Sequence, residues 1–104
     1  MDEKQKEFGL TEYMAQEGRL LIRMPRFNLD TFPALAERFL KLLSAQVVEK
    51  QWDGDVHSWL VDFEETHLFL KAEHYSEAVW FESLTVDDSR EVMDYLAQLF
   101  AKGF

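Results

Sequence analysis

One stretch limits what this chain can fold into: VVEKQWDGDVHSWLVDFEETHLFLKAEHYSEAVWFESL, residues 47–84. It holds four short runs in which apolar and polar side chains alternate, with a turn signal between each pair. Alternation with a period of two marks a strand that buries one face. The turn signals are Asp53-Gly54-Asp55, Glu64-Glu65 and His74-Tyr75-Ser76, and Gly54 is free to take the positive φ of a tight turn. The stretch therefore predicts an antiparallel meander with strands over 47–52, 56–63, 66–73 and 78–84.

A two-residue loop at Glu64-Glu65 also fixes a register, although Glu-Glu is not a favoured turn dipeptide. Phe63 then faces Thr66, Val61 faces Leu68 and Trp59 faces Leu70, and this set goes to the core. The other face carries the cross-strand pairs Asp62 with His67, Leu60 with Phe69, and Ser58 with Lys71. Trp80 alternates against Val79 and Phe81, and only one of those sets can face the helices. If Val79 and Phe81 go inward, Trp80 widens the Leu60–Phe69 band, and Leu21 of an earlier strand can join it. The candidate interaction face is thus Leu21, Leu60, Asp62, His67, Phe69 and Trp80.

Helical periodicity flanks the meander. Asn28, Asp30 and Thr31 are candidate caps, and Pro33 suits a first helical turn. Phe32, Leu35, Ala36, Phe39, Leu42 and Leu43 recur at spacings of three and four, which predicts a helix to about Ser44. Thr85 with Asp88 reads as a capping signature, followed by a stripe of Val92, Leu96, Leu99 and Phe100 and an end at Lys102-Gly103. Ahead of the first helix, Arg19–Met24 alternates as a strand and Pro25 ends it. Gln16-Glu17-Gly18 reads as a hairpin loop, which favours a strand over residues 10–15, although that run also fits a helical turn. Residues 1–8 are mostly charged and are expected to fray.

The whole is an α+β single domain, residues 1–104, with the order β-α-β-β-β-β-α and room for an extra strand in front. That order resembles the TBP-like fold, in which a curved antiparallel sheet wraps its helices, and a shortened helix-grip fold. Neither resemblance carries a function.

Composition narrows the partners. The chain has 20 acidic and 11 basic residues and a formal net charge of -9, which repels nucleic-acid backbones and anionic membranes. No nucleic acid and no membrane is therefore expected as a partner. No apolar run approaches the roughly 18 residues that span a bilayer. The opening MDEKQKEFGL is charged where a secretory leader is apolar, so a cytoplasmic setting is expected. There are no cysteines, which removes thiolate chemistry and disulfides.

Candidate chemistry is thin. His57, His67 and His74 lie among several acids, but the register puts His67 beside Asp62 on one face and His57 on the other, which separates the obvious ligands. Asp62–His67 reads as a pH-responsive surface contact. Ser58 and His57 are strand neighbours pointing to opposite faces, so they make no nucleophile–base pair. The adjacent carboxylates at Glu64-Glu65 and Asp87-Asp88 and the Asp53/Asp55 pair read as turn and cap residues. No catalytic, metal-binding or cofactor-binding residue is assigned, and no cofactor is expected.

The runs FPALAERFLKLL and QWDGDVHSWLVDFEETHLFLKAEHYSEAVWFE resemble a family of proteobacterial proteins of about this length that carry a domain of unknown function. The resemblance covers residues 19–100 and implies a bacterial, cytosolic α+β domain. It brings no catalytic residues. The expected function is a non-catalytic module that meets a protein partner or a second copy through the sheet face. The alternative is a domain that binds a small apolar ligand in a cavity between sheet and helices, lined by Trp59, Phe39 and Phe81.

Overall fold

The computed structural model describes residues 6–104. The strands are β1 (Gly9–Met14), β2 (Arg19–Arg23), β3 (Gln46–Asp53), β4 (Val56–Phe63), β5 (Thr66–Glu73) and β6 (Ala78–Ser83). Helix α1 (Phe32–Leu42) follows β2, and α2 (Val86–Lys102) follows β6. The strands form one six-stranded antiparallel sheet in the order β1-β2-β6-β5-β4-β3. The α+β class and the meander hold. Residues 10–15 resolve mostly as strand, and a 3-10 turn over Ala15–Glu17 leads to Gly18 at φ 67.

The β4–β5 register is the one the two-residue loop dictates: Phe63 opposite Thr66, Trp59 opposite Leu70, Leu60 opposite Phe69 and Asp62 opposite His67. Glu64 and Glu65 close the hairpin at φ 51 and φ 68, the mirror-image turn that matches strand twist. The Asp62 carboxylate accepts the Glu65 N–H at 3.0 Å, a local bond that helps an unfavourable dipeptide into this turn.

Both helices lie on one face of the sheet, and a single core fills the space between. Trp59, Val61, Leu68, Leu70 and Phe81 from the strands meet Phe32, Phe39 and Leu40 of α1 and Met93, Leu96 and Phe100 of α2. Phe39 is the hub: its ring centroid lies 5.0 Å from Phe8, 5.7 Å from Phe100 and 5.9 Å from Phe81. Burying one such phenylalanine is worth about 1.5–3 kcal/mol.

Three local expectations are corrected. Thr31 makes no side-chain cap bond to the α1 amides; its hydroxyl instead accepts the Asn28 N–H, while Asn28 Oδ1 accepts the N–H groups of Asp30 and Thr31. Thr85 precedes α2 with no side-chain cap bond, and the Ser89 hydroxyl donates back to the Thr85 carbonyl at 3.0 Å. The fraying expected of residues 1–8 falls partly on residues 1–5, which lie outside the described residues. Phe8, however, is fully buried, and it exchanges backbone hydrogen bonds of 2.8 and 2.9 Å with Phe104. The charges around Phe8 hide an anchoring aromatic in the sequence.

Candidate functional site

With both helices on one side, the other face of the sheet is left open among the described residues. Register places Leu21 opposite Trp80, Trp80 opposite Lys71 and Phe69 opposite Leu60. Val79 and Phe81 go inward, so Trp80 points to the open side. Phe69 lies opposite Glu82, so the Leu21–Trp80 and Phe69–Leu60 pairs adjoin on the diagonal, and the four side chains step as a band across β2, β6, β5 and β4 in that spatial order.

Long charged side chains lie over this band and leave it partly buried. The Trp80 indole N–H donates to Glu82 at 2.9 Å, and Glu82 also faces Lys71 at 3.5 Å and Arg19 at 3.8 Å. The Arg19 guanidinium stands 5.8 Å from the Trp80 ring centre, and the Lys71 ammonium 5.3 Å from that of Phe69. Cations over aromatic faces are attracted by the ring quadrupole, so aromatic and charge make one mixed surface. A hollow of about 120 Å³ between Glu49, Gln51, Ser58, Leu60 and Phe69 dents it. Two residues along from the Leu60–Phe69 pair, His67 Nε2 lies 3.5 Å from an Asp62 oxygen.

His67 stays beside Asp62, on the opposite face from His57, but His57 is joined by the third histidine, His74. His57 enters the core face at the start of β4, and His74 turns in from the connection after β5. Their Nδ1 and Nε2 atoms meet at 2.7 Å. Trp52 stacks on His57 with ring planes 8° apart, and Phe32 touches both imidazoles. Phe27 closes on His74 edge to face. Burial, and then the neighbouring His74, push the His57 pKa below its ordinary value. Among the described residues, Nδ1 of His74 is buried without a hydrogen-bond partner.

Periodicity could not find this pair, because His74 lies beyond the end of β5. The available signal was the β4–β5 register, which sets His57 opposite Ala72, close to the strand end that leads into His74.

Beside the pair opens a groove of about 540 Å³, lined by Phe27, Asn28, Leu29, Asp30, Asp55, His74, Tyr75 and Glu77. Tyr75 is 88% exposed there, and Trp52 nearby is 65% exposed. The Glu73 carboxylate holds the connection by accepting the N–H groups of Tyr75 and Ser76 and the Ser76 hydroxyl. These bonds, the hydroxyl first, lower the Glu73 pKa.

Ser76 therefore serves Glu73 rather than a histidine, and Ser58 is on the open face while His57 is not. Among the described residues, no three histidine or carboxylate side chains are grouped so as to hold a metal ion. The aromatics that would line an internal cavity are packed instead: Trp59 lies 5.7 Å from Phe32, and Phe39 lies 5.9 Å from Phe81, centroid to centroid. Among the described residues, no helix is long and apolar enough to cross a membrane.

No curated protein and no solved structure matches this chain significantly. One protein-family model does, over residues 8–101, which takes in every strand and both helices but for the last residue of α2. On that match the chain belongs to the family described as protein of unknown function (DUF3630).

Proposed function

We propose that this domain is a non-catalytic interaction module that takes a protein partner on the open face of its sheet. The observation behind it is the Leu21–Trp80–Phe69–Leu60 band, which spans four adjoining strands and lies under neither helix. Half-buried apolar surface interleaved with cations and carboxylates suits a protein interface, where aromatic anchors carry binding and charges set orientation. A bacterial cytosolic setting and a TBP-like arrangement belong to the same proposal. The bacterial origin is what the family resemblance implies, the cysteine-free composition fits a reducing cytosol, and the one-sided sheet with its element order supports the TBP-like arrangement.

The test is size-exclusion chromatography with light scattering, together with pull-down, on wild type, Phe69→Asp and Leu60→Lys. Circular dichroism melts show which variants stay folded. A dimer or complex in wild type that both folded variants lose is the expected result. A strict monomer in all three, with no specific partner recovered, removes the proposal.

A further inference from the structure

The groove beside the histidine pair has its own chemistry. Three segments build it: the run into α1, the β3–β4 turn and the β5–β6 connection. Its lining includes the acidic residues Asp30, Asp55 and Glu77 and, among the described residues, no lysine or arginine. The ion pairs of the described residues leave these three carboxylates without a basic partner. Two aromatic rings stand among them. Phe27 is held edge-on against His74, and Tyr75 sits on a turn pinned by Glu73 and is almost wholly exposed.

A ligand here must answer both features. Anions are repelled by the carboxylates. A bare metal ion finds no converging ligand set and makes no use of the rings. A group that joins positive charge to a flat or methylene body satisfies both, because carboxylates pair with its donors while ring faces attract the cation. The volume lies within the range of roughly 300–1,000 Å³ typical of ligand sites. It has room for a side chain and part of the backbone that carries it.

We infer that this groove receives an arginine or lysine side chain of a protein partner, held between Asp30, Asp55 and Glu77 and stacked on Phe27 or Tyr75. The surface is distinct from the sheet face, and the inference stands whether or not that face binds anything. The net charge of -9 steers such a basic segment toward the molecule, and the groove gives it a defined seat.

The test uses the full chain, labelled with nitrogen-15, titrated with acetyl-Leu-Arg-Leu-amide and watched by amide NMR. Saturable shifts are expected at Leu29, Asp55, Tyr75 and Glu77, and none with the neutral peptide in which citrulline replaces arginine. The double variant Asp55→Asn/Glu77→Gln alters groove carboxylates without touching the core. It should bind the arginine peptide about tenfold more weakly or worse. Phe69→Asp should bind the peptide as wild type does, which separates this groove from the sheet face. Four results overturn the inference: no shifts, shifts scattered equally over remote acids such as Asp87 and Glu49, undiminished binding by the double variant, or agmatine binding as tightly as the peptide. The last identifies a small-cation site instead.

Discussion

His57 Nδ1 stands 2.7 Å from His74 Nε2, and two imidazole nitrogens that close share one proton between them. A proton added at the accepting nitrogen puts two N–H groups face to face and breaks the contact. His57 is 6% exposed and stacked under Trp52, so water does little to relieve the charge. Its pKa is accordingly depressed from the ordinary 6.5.

The consequence for stability has a definite sign. An unfolded imidazole takes up a proton at about pH 6.5, where the folded His57 still resists one. Stability is therefore fully present above that value and declines as pH falls toward the lower folded value. Urea unfolding at about pH 7.5 and about pH 5.5 should show wild type losing stability across this window, above the range where carboxylates titrate. His57→Gln should lose less. Equal slopes for the two proteins would show that His57 is not the group responsible.

The Glu64-Glu65 turn is the clearest place to improve the fold. Both residues sit in the left-handed region, at φ 51 and φ 68, where side chains cost free energy and glycine or asparagine do not. Glu64→Asn with Glu65→Gly should raise stability by about 1–2 kcal/mol, read as a higher urea midpoint at unchanged slope. A lower midpoint would show that the glutamates make compensating contacts in the native turn.

Tyr13 donates its hydroxyl to Asp94 at 2.5 Å, tying β1 to α2. Burial first, and then this bond, raise its pKa from 10.0 to about 12. The neutral phenol is the form the fold prefers, so its contribution is complete below 10.0 and fades as pH climbs toward about 12. Ultraviolet absorbance titration should find one tyrosine ionising late, and Asp94→Asn should bring it earlier. If the variant leaves the titration unchanged, the bond does not govern this tyrosine.

Much of the architecture was readable because it rests on period and parity. The β4–β5 pairs follow from one loop length, and the outward direction of Trp80 follows once Val79 and Phe81 are assigned to the core. Features that depend on chain direction after a strand ends were not readable. His74 meets His57 through a connection with no repeating pattern, and Phe8 docks on Phe104 from the far end of the chain. The shielding of the open face was hidden for a different reason. Arg19, Lys71 and Glu82 look like ordinary polar alternation until the sheet sets them side by side.

The position of β2 beside β6 has a kinetic meaning. The meander can zip up from neighbouring segments, each strand finding a partner just made. The β1–β2 hairpin, though synthesised first, must wait for β6, with a helix and three strands emerging in between. Closing so long a loop is slow. Until it closes, β6 presents a bare backbone edge with Val79, Trp80 and Phe81 along it, a template for pairing with another nascent chain. Aggregation of this protein during synthesis should thus be governed by how quickly the hairpin docks, and variants that loosen β1–β2 should lose soluble yield before they lose native stability.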